Sequence, residues 1–240
     1  MTTLSVDGPL VAEPREPGAL QQAFDRIFRL DEVETTELLL IRHAEPDYNA
    51  GDATERPGDP PLMAAGRNQA MRLAVRLRTL PVDAIYASTR RRARETAAFV
   101  AAAKDMPVAT SHDLREIDFD RTAMGPLGAG SYDTALELAR RFVSQASWDS
   151  LPGFEPARDF RRRVLVGLEA IVSRHPGERV VVVAHGGVIN AYLSTLLNIP
   201  RDMFFLPEYT SITTVRVCND LYALRGLNDH AHLNSAAEAV

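Results

Sequence analysis

The segment Leu38–Asn49, LLLIRHAEPDYN, decides how the rest of the chain is read. Four aliphatic residues in a row, Leu38 to Ile41, describe a strand covered on both faces, as in a parallel sheet flanked by helices. The run stops in Arg42, His43 and Glu45, charged or titratable groups that a covered sheet has no structural reason to take in. At the carboxyl end of such a strand they lie in the crevice where open α/β sheets hold their ligands. RVVVVAH, Arg179–His185, repeats the pattern: four valines, then Ala184 and His185, followed by Gly186 and Gly187. In a parallel sheet both strand ends fall on one edge, so His43 and His185 are expected to face one site.

Around these two strands, strand-like and helical stretches alternate. Helices are expected over about 63–77, 91–102 and 188–197. Further strands are expected in DAIYAS (83–88), PVAT (107–110) and SITTVRV (211–217). The alternation predicts a mostly parallel sheet with helices on both faces. Residues 1–18, with three prolines among small and charged residues, are expected to form a flexible lead-in. Leu20, Phe24, Ile27 and Phe28 then recur at helical spacing, predicting an amphipathic helix over 19–32 that packs on the domain or on another subunit. Residues 121–154 break the rhythm, with a Gly-rich loop and a short helix, and are expected to form an insertion or lid beside the active edge.

Composition narrows the function. The 240 residues suit one catalytic domain, residues 19–240, and 45% apolar with 25% charged residues is ordinary for a globular protein. A net charge of −5 argues against a broad nucleic-acid footprint. No signal peptide or membrane-length apolar run is present, so a cytoplasmic protein is expected. Cys218 stands alone, which excludes a disulfide framework or a cysteine-based zinc site.

The chemistry is suggested by charge. In TRRRARETA, Arg90, Arg91, Arg92 and Arg94 crowd a helix amino terminus, where the macrodipole disfavours cations. An anion is expected to offset them, and the planar fork of arginine matches the oxygens of a phosphoryl group. The Gly-Gly turn after His185 would bring helix N–H groups to the same point. A histidine there acts either as a general base or as a nucleophile on phosphorus. LREIDF offers Glu116, with Asp118 as second choice, to protonate a leaving oxygen, since a carboxyl near phosphate charge keeps its proton more readily.

RHAEPDYN, DPPLMAAGRNQA, YASTRRRARETA, LREIDF, PGFEPARDFRRRV and VVVVAHGGVINAYL together resemble, in order, the signature blocks of the histidine phosphatase superfamily, which includes the cofactor-dependent phosphoglycerate mutases. The resemblance spans residue 38 to about 217. It implies a three-layer α/β/α sandwich. It also implies that His43 is the phosphorylated nucleophile and Glu116 the proton donor. Arg42, Arg92, His185 and Asn49 would contact the phosphoryl group, and Glu45 would contact substrate or cap its loop. Ala44 departs from the glycine usual after the nucleophile, Asp120 from a glycine and Pro156 from a serine. Only 69 positions separate Glu116 from His185, fewer than in the mutases resembled, so hydrolysis of a phosphomonoester is expected. Mutase-type transfer is the alternative, and a metal-dependent hydrolase using His43, Glu45, Glu116 and His185 as ligands is less favoured because Arg42 and Arg92 would repel a cation. No cofactor and no metal are expected. The partner is expected to be a small phosphorylated substrate rather than nucleic acid or membrane, with a homo-oligomer left open.

Overall fold

A computed structural model describes residues 18–31, 34–50, 59–119 and 132–234; the side chains of Tyr132 and Thr134 are not described. The lead-in and the Gly-rich start of the expected lid, 121–131, lie outside these residues.

The alternation becomes a sheet of six strands in the order β3-β2-β4-β1-β5-β6. These are β1 (Thr36–Arg42), β2 (Ala84–Ser88), β3 (Ala109–Ser111), β4 (Arg179–Ala184), β5 (Ile212–Cys218) and β6 (Leu221–Asp229). The first four are mutually parallel, while β5 runs antiparallel to β1 and β6 antiparallel to β5. β3 begins two residues later than PVAT suggests. β6 was not foreseen: as an exposed edge strand interrupted by Gly226, it lacks the apolar run of a covered strand.

The aliphatic runs are explained by the layers. Leu38, Leu40, Val180 and Val182 pack on one face with Phe160, Leu168 and Tyr192. Those three residues come from α5 (Ala157–Val172) and α6 (Gly186–Leu196). Leu39, Ile41, Val181 and Val183 pack on the other face with Leu73, Leu77, Ala93 and Val100. These belong to α2 (Ala64–Leu77) and α3 (Arg91–Lys104). With helices on both sides, Leu38–Ile41 and Val180–Ala184 are all driven inward, each large side chain contributing about 1.5–3 kcal/mol. The three-layer sandwich follows.

Three helices complete the described residues: α1 (Ala19–Arg29), α4 (Tyr132–Gln145) and a terminal turn, α7 (Ala231–Asn234). α1 stops three residues short of the expected 32, because Leu30 turns left-handed at φ 48°. It does not bury its apolar stripe: Leu20, Phe24, Ile27 and Phe28 are all exposed. Its anchor is its end, where Leu30 is buried and Arg216 bonds to the Arg29 carbonyl and Asp31. No described helix is long and apolar enough to cross a membrane.

α5 also went unpredicted as a helix, although Phe160, Val164, Gly167, Leu168 and Ile171 are buried at helical spacing. Pro156 precedes it and cannot cap it through its side chain. Asp149, from a short 3-10 turn at Trp148–Ser150, does so by accepting the Ala157 N–H at 2.9 Å.

Candidate active site

Strand register brings the two histidines together. Arg42 on β1 pairs with Ala184 on β4, so the next residues, His43 and His185, emerge side by side. Their ring centroids are 5.0 Å apart, and both rings are buried. β2 lies on the other side of β4 and ends in Ser88, after which Arg90 leads into α3 and delivers Arg92.

Arg92 links the rings. Its Nε donates to His43 Nε2 at 3.1 Å, and Nη2 donates to His185 Nδ1 at 3.3 Å. A guanidinium has no acceptor, so both ring nitrogens must present lone pairs. On its far side His43 Nδ1 lies 2.7 Å from the Ala44 carbonyl, which can only accept. His43 is therefore the neutral Nδ1–H tautomer, with Nε2 free of a proton. Its pKa is held well below the ordinary 6.5, first by burial and then by the positive charge of Arg92. His185 is depressed in the same way, by burial first and Arg92 second.

Arg42 borders the two histidines. Its guanidinium stacks on Tyr209 at 4.0 Å and gives Nη1 to the Pro207 carbonyl at 2.6 Å. Its buried Nε finds no partner among the described residues.

Glu116 follows β3 and a 3-10 turn, His112–Leu114. Its carboxylate accepts the Gly187 N–H at 3.1 Å and the Ile117 N–H at 3.0 Å, anchoring it to the first turn of α6. A Cβ on Gly187 would stand 2.2 Å from Glu116 Oε1, so this close seating requires glycine. Arg163 of α5 holds the loop from behind, donating to the carbonyls of Asp113, Arg115 and Glu116 and to the Glu155 carboxylate. Asp118 is otherwise occupied: Arg90 takes one carboxylate oxygen at 2.7 Å and Arg115 the other at 3.0 Å.

The structure thus gathers Arg42, His43, Arg92, Glu116 and His185 at one edge. Glu45 sits beside them, its N–H on the Gln69 side chain at 2.9 Å, and α2 presses so close that a Cβ on Gly66 would lie 2.1 Å from the Glu45 carbonyl. Asn49 is exposed in a turn, where its N–H bonds the Asp47 carboxylate at 3.0 Å. Ala44 is buried, giving its N–H to Thr96 Oγ1 at 3.0 Å, and has room for its methyl against Leu62 and Ala70.

The arginine cluster is offset in part by the protein itself. Buried Asp59 accepts the Arg91 N–H at 2.8 Å and lies 3.8 Å from Arg92, while Glu95 takes Arg91 at 2.6 Å. Sequence reasoning missed Asp59, Thr96, Tyr209 and Ser88. Only Ser88 carried a signal, being a polar residue that closes a strand as the two histidines do. Among the described residues no group of three or more His, Cys, Asp or Glu is disposed to hold a metal ion.

Comparison with known proteins points the same way. The model of the histidine phosphatase superfamily (branch 1) matches residues 38–230. Phosphoglycerate mutase-like protein 4 of Arabidopsis thaliana is 33% identical over 171 residues, covering 68% of this chain and 72% of that protein. A probable phosphoglycerate mutase of Salmonella choleraesuis is 30% identical over 168 residues, covering 68% and 76%. Among solved structures, Bacillus stearothermophilus YhfR superposes with a TM-score of 0.68 at 31% identity, over 82% of this chain and 99% of the other. A phosphoserine phosphatase from Entamoeba histolytica, in complex with 3-phosphoglyceric acid, gives 0.65 at 25% identity, over 82% and 99%.

Proposed function

The chain belongs to the histidine phosphatase superfamily, and on that premise we propose that it hydrolyses a small phosphomonoester in the cytoplasm through a phosphohistidine on His43, without a metal ion in the chemical step. One observation carries this reading: a neutral His43 whose unprotonated Nε2 faces a guanidinium. An incoming phosphoryl group draws Arg92 onto its oxygens and places phosphorus before the nitrogen that the arginine releases.

His43 Nε2 then forms the N–P bond while the ester P–O bond breaks, and Glu116 in its acid form protonates the leaving oxygen. Arg42, Arg92 and His185 balance the charge on the equatorial oxygens. In the second half, water attacks phosphorus, Glu116 takes its proton, and His43 leaves with its lone pair restored. A metal-dependent route is disfavoured because Arg92 stands where a cation would have to approach the two histidines.

Hydrolysis is favoured over transfer by the short 69-position interval between Glu116 and His185, and by the likeness to a phosphoserine phosphatase. The names of the sequence relatives favour the second reading, a mutase that returns the phosphoryl group to another hydroxyl. The test is phosphate release from p-nitrophenyl phosphate and a panel of metabolite phosphates in chelator, run beside interconversion of 2- and 3-phosphoglycerate. Release with no interconversion is expected. Interconversion with no release makes the protein a mutase, and activity that disappears in chelator and returns with metal reverses the metal-free mechanism.

A further inference from the structure

Ser88 is given no role by the residues the family resemblance assigns, yet it is fully buried directly behind His185. Its Oγ lies 2.8 Å from His185 Nε2 and 3.2 Å from the Arg90 N–H. Because Arg92 can only donate to Nδ1, the proton of neutral His185 sits on Nε2, and Ser88 Oγ accepts it. The two lone pairs of the hydroxyl are thus taken by Nε2–H and by the Arg90 N–H. The basic nitrogen of His185 is left facing Arg92 and the nucleophile.

The geometry points to Ser88 as a positioning residue that accepts the Nε2 proton of His185 and holds the ring, so that Nδ1 takes up a second proton when a phosphoryl group enters. This rests on the phosphoryl-site reading above. The groups around the ring explain both states. Burial first, and then Arg92 from α3 and His43 beyond β1, which face the ring directly, with Arg90 and Arg163 adding positive field, disfavour a second proton in the free protein. Glu116 is the carboxylate on the adjoining turn, bonded to Gly187. A phosphate monoanion reverses the balance. It transfers its P–OH proton to Nδ1, becoming a dianion, while His185 becomes an imidazolium. The new N–H donates to a phosphoryl oxygen, and Nε2–H remains on Ser88. The charge needed against the equatorial oxygens is then created by the substrate's own arrival.

The test is the long-range proton–nitrogen spectrum of 15N-labelled full-length protein, titrated with inorganic phosphate at mildly acidic pH, with His185→Gln used only for assignment. In the free protein His185 is expected to show Nδ1 bare and Nε2 protonated; at saturating phosphate both nitrogens carry protons. A free protein with bare Nε2 overturns the role of Ser88. Phosphate that shifts the His43 signals but leaves His185 neutral overturns the proton uptake alone. Phosphate that shifts neither ring overturns the phosphoryl-site reading and this inference together. Ser88→Ala, checked for an unchanged fold by its backbone spectrum, is expected to weaken the uptake of the second proton on phosphate binding and lower kcat by about tenfold or more, the scale of a lost hydrogen bond to a charged group. Ser88→Thr should restore the proton uptake, whereas wild-type uptake and kcat in Ser88→Ala overturn the proposal.

Discussion

His43 is neutral because it is buried, and the charge of Arg92 keeps it so; these two facts set what pH does to the protein. The unfolded chain begins to protonate its histidines near 6.5, while folded His43 and His185 resist protonation until well below that value. The unfolded state therefore binds more protons in that window, and stability is expected to fall as pH drops from about 6.5 toward the folded values. Thermal midpoints across this range check it, and His185→Gln should flatten the slope; an unchanged slope would mean that other groups set it. For the chemistry, His43→Ala is expected to abolish turnover, and full activity in that variant would sink the mechanism. Arg92→Ala should raise KM and lower kcat together, by about a hundredfold or more in kcat/KM for a lost charged donor in a closed site; phosphate release under substrate variation separates the two. At this scale the sequence was legible where a residue closes a covered strand, as His43 and His185 do. It was silent on Asp59 and Tyr209, which reach the site from loops whose course no local pattern dictates.

Elements decide where the acid stands. Glu116 is placed by the first turn of α6 on one side and by Arg163 of α5 on the other. Gly187→Ala is expected to displace the carboxylate, cutting kcat at least tenfold while leaving KM close to wild type, because the arginines proposed to bind phosphate are untouched. With a substrate whose leaving group needs no proton, the first half-reaction, read as the pre-steady-state burst of released leaving group, should recover most of its loss; failure of the burst to recover would place the damage elsewhere. Phe160, fully buried beneath α6, carries the packing side of the same junction, and Phe160→Ala should cost about 3–5 kcal/mol in chemical denaturation. The covered strands and most helices could be read from apolar periodicity alone. β6 could not, because half of its residues face solvent, and α5 was overlooked although its buried stripe has helical spacing.

Across the whole molecule, charge is unevenly spread. The chain carries −5 overall, yet Arg42, Arg90, Arg92 and Arg163 gather at the catalytic edge. Focusing of this kind speeds the approach of anions, so kcat/KM for a phosphomonoester is expected to fall with added salt while kcat holds. The three-layer plan was foreseen from the alternation, but the uncovered stripe on α1 was not, because amphipathic spacing predicts a covered face without saying by what. Phe28→Ser is expected to shift the stability of the monomer by no more than about 0.5 kcal/mol, since no residue of α1 is buried. A loss that grows with protein concentration would instead mean that a second copy covers the helix.

The bond between Arg92 and His43 has one more effect. In the resting protein the lone pair on His43 Nε2 is already spoken for, on a ring that is 4% exposed. On the proposed mechanism the nucleophile is sheathed until an anion draws the arginine aside. Indiscriminate acylating reagents that lack a phosphate-like group should accordingly pass over His43, as over the fully buried His185, and mark the exposed His112 first, leaving the proposed nucleophile among the least reactive imidazoles toward anything but its own kind of substrate.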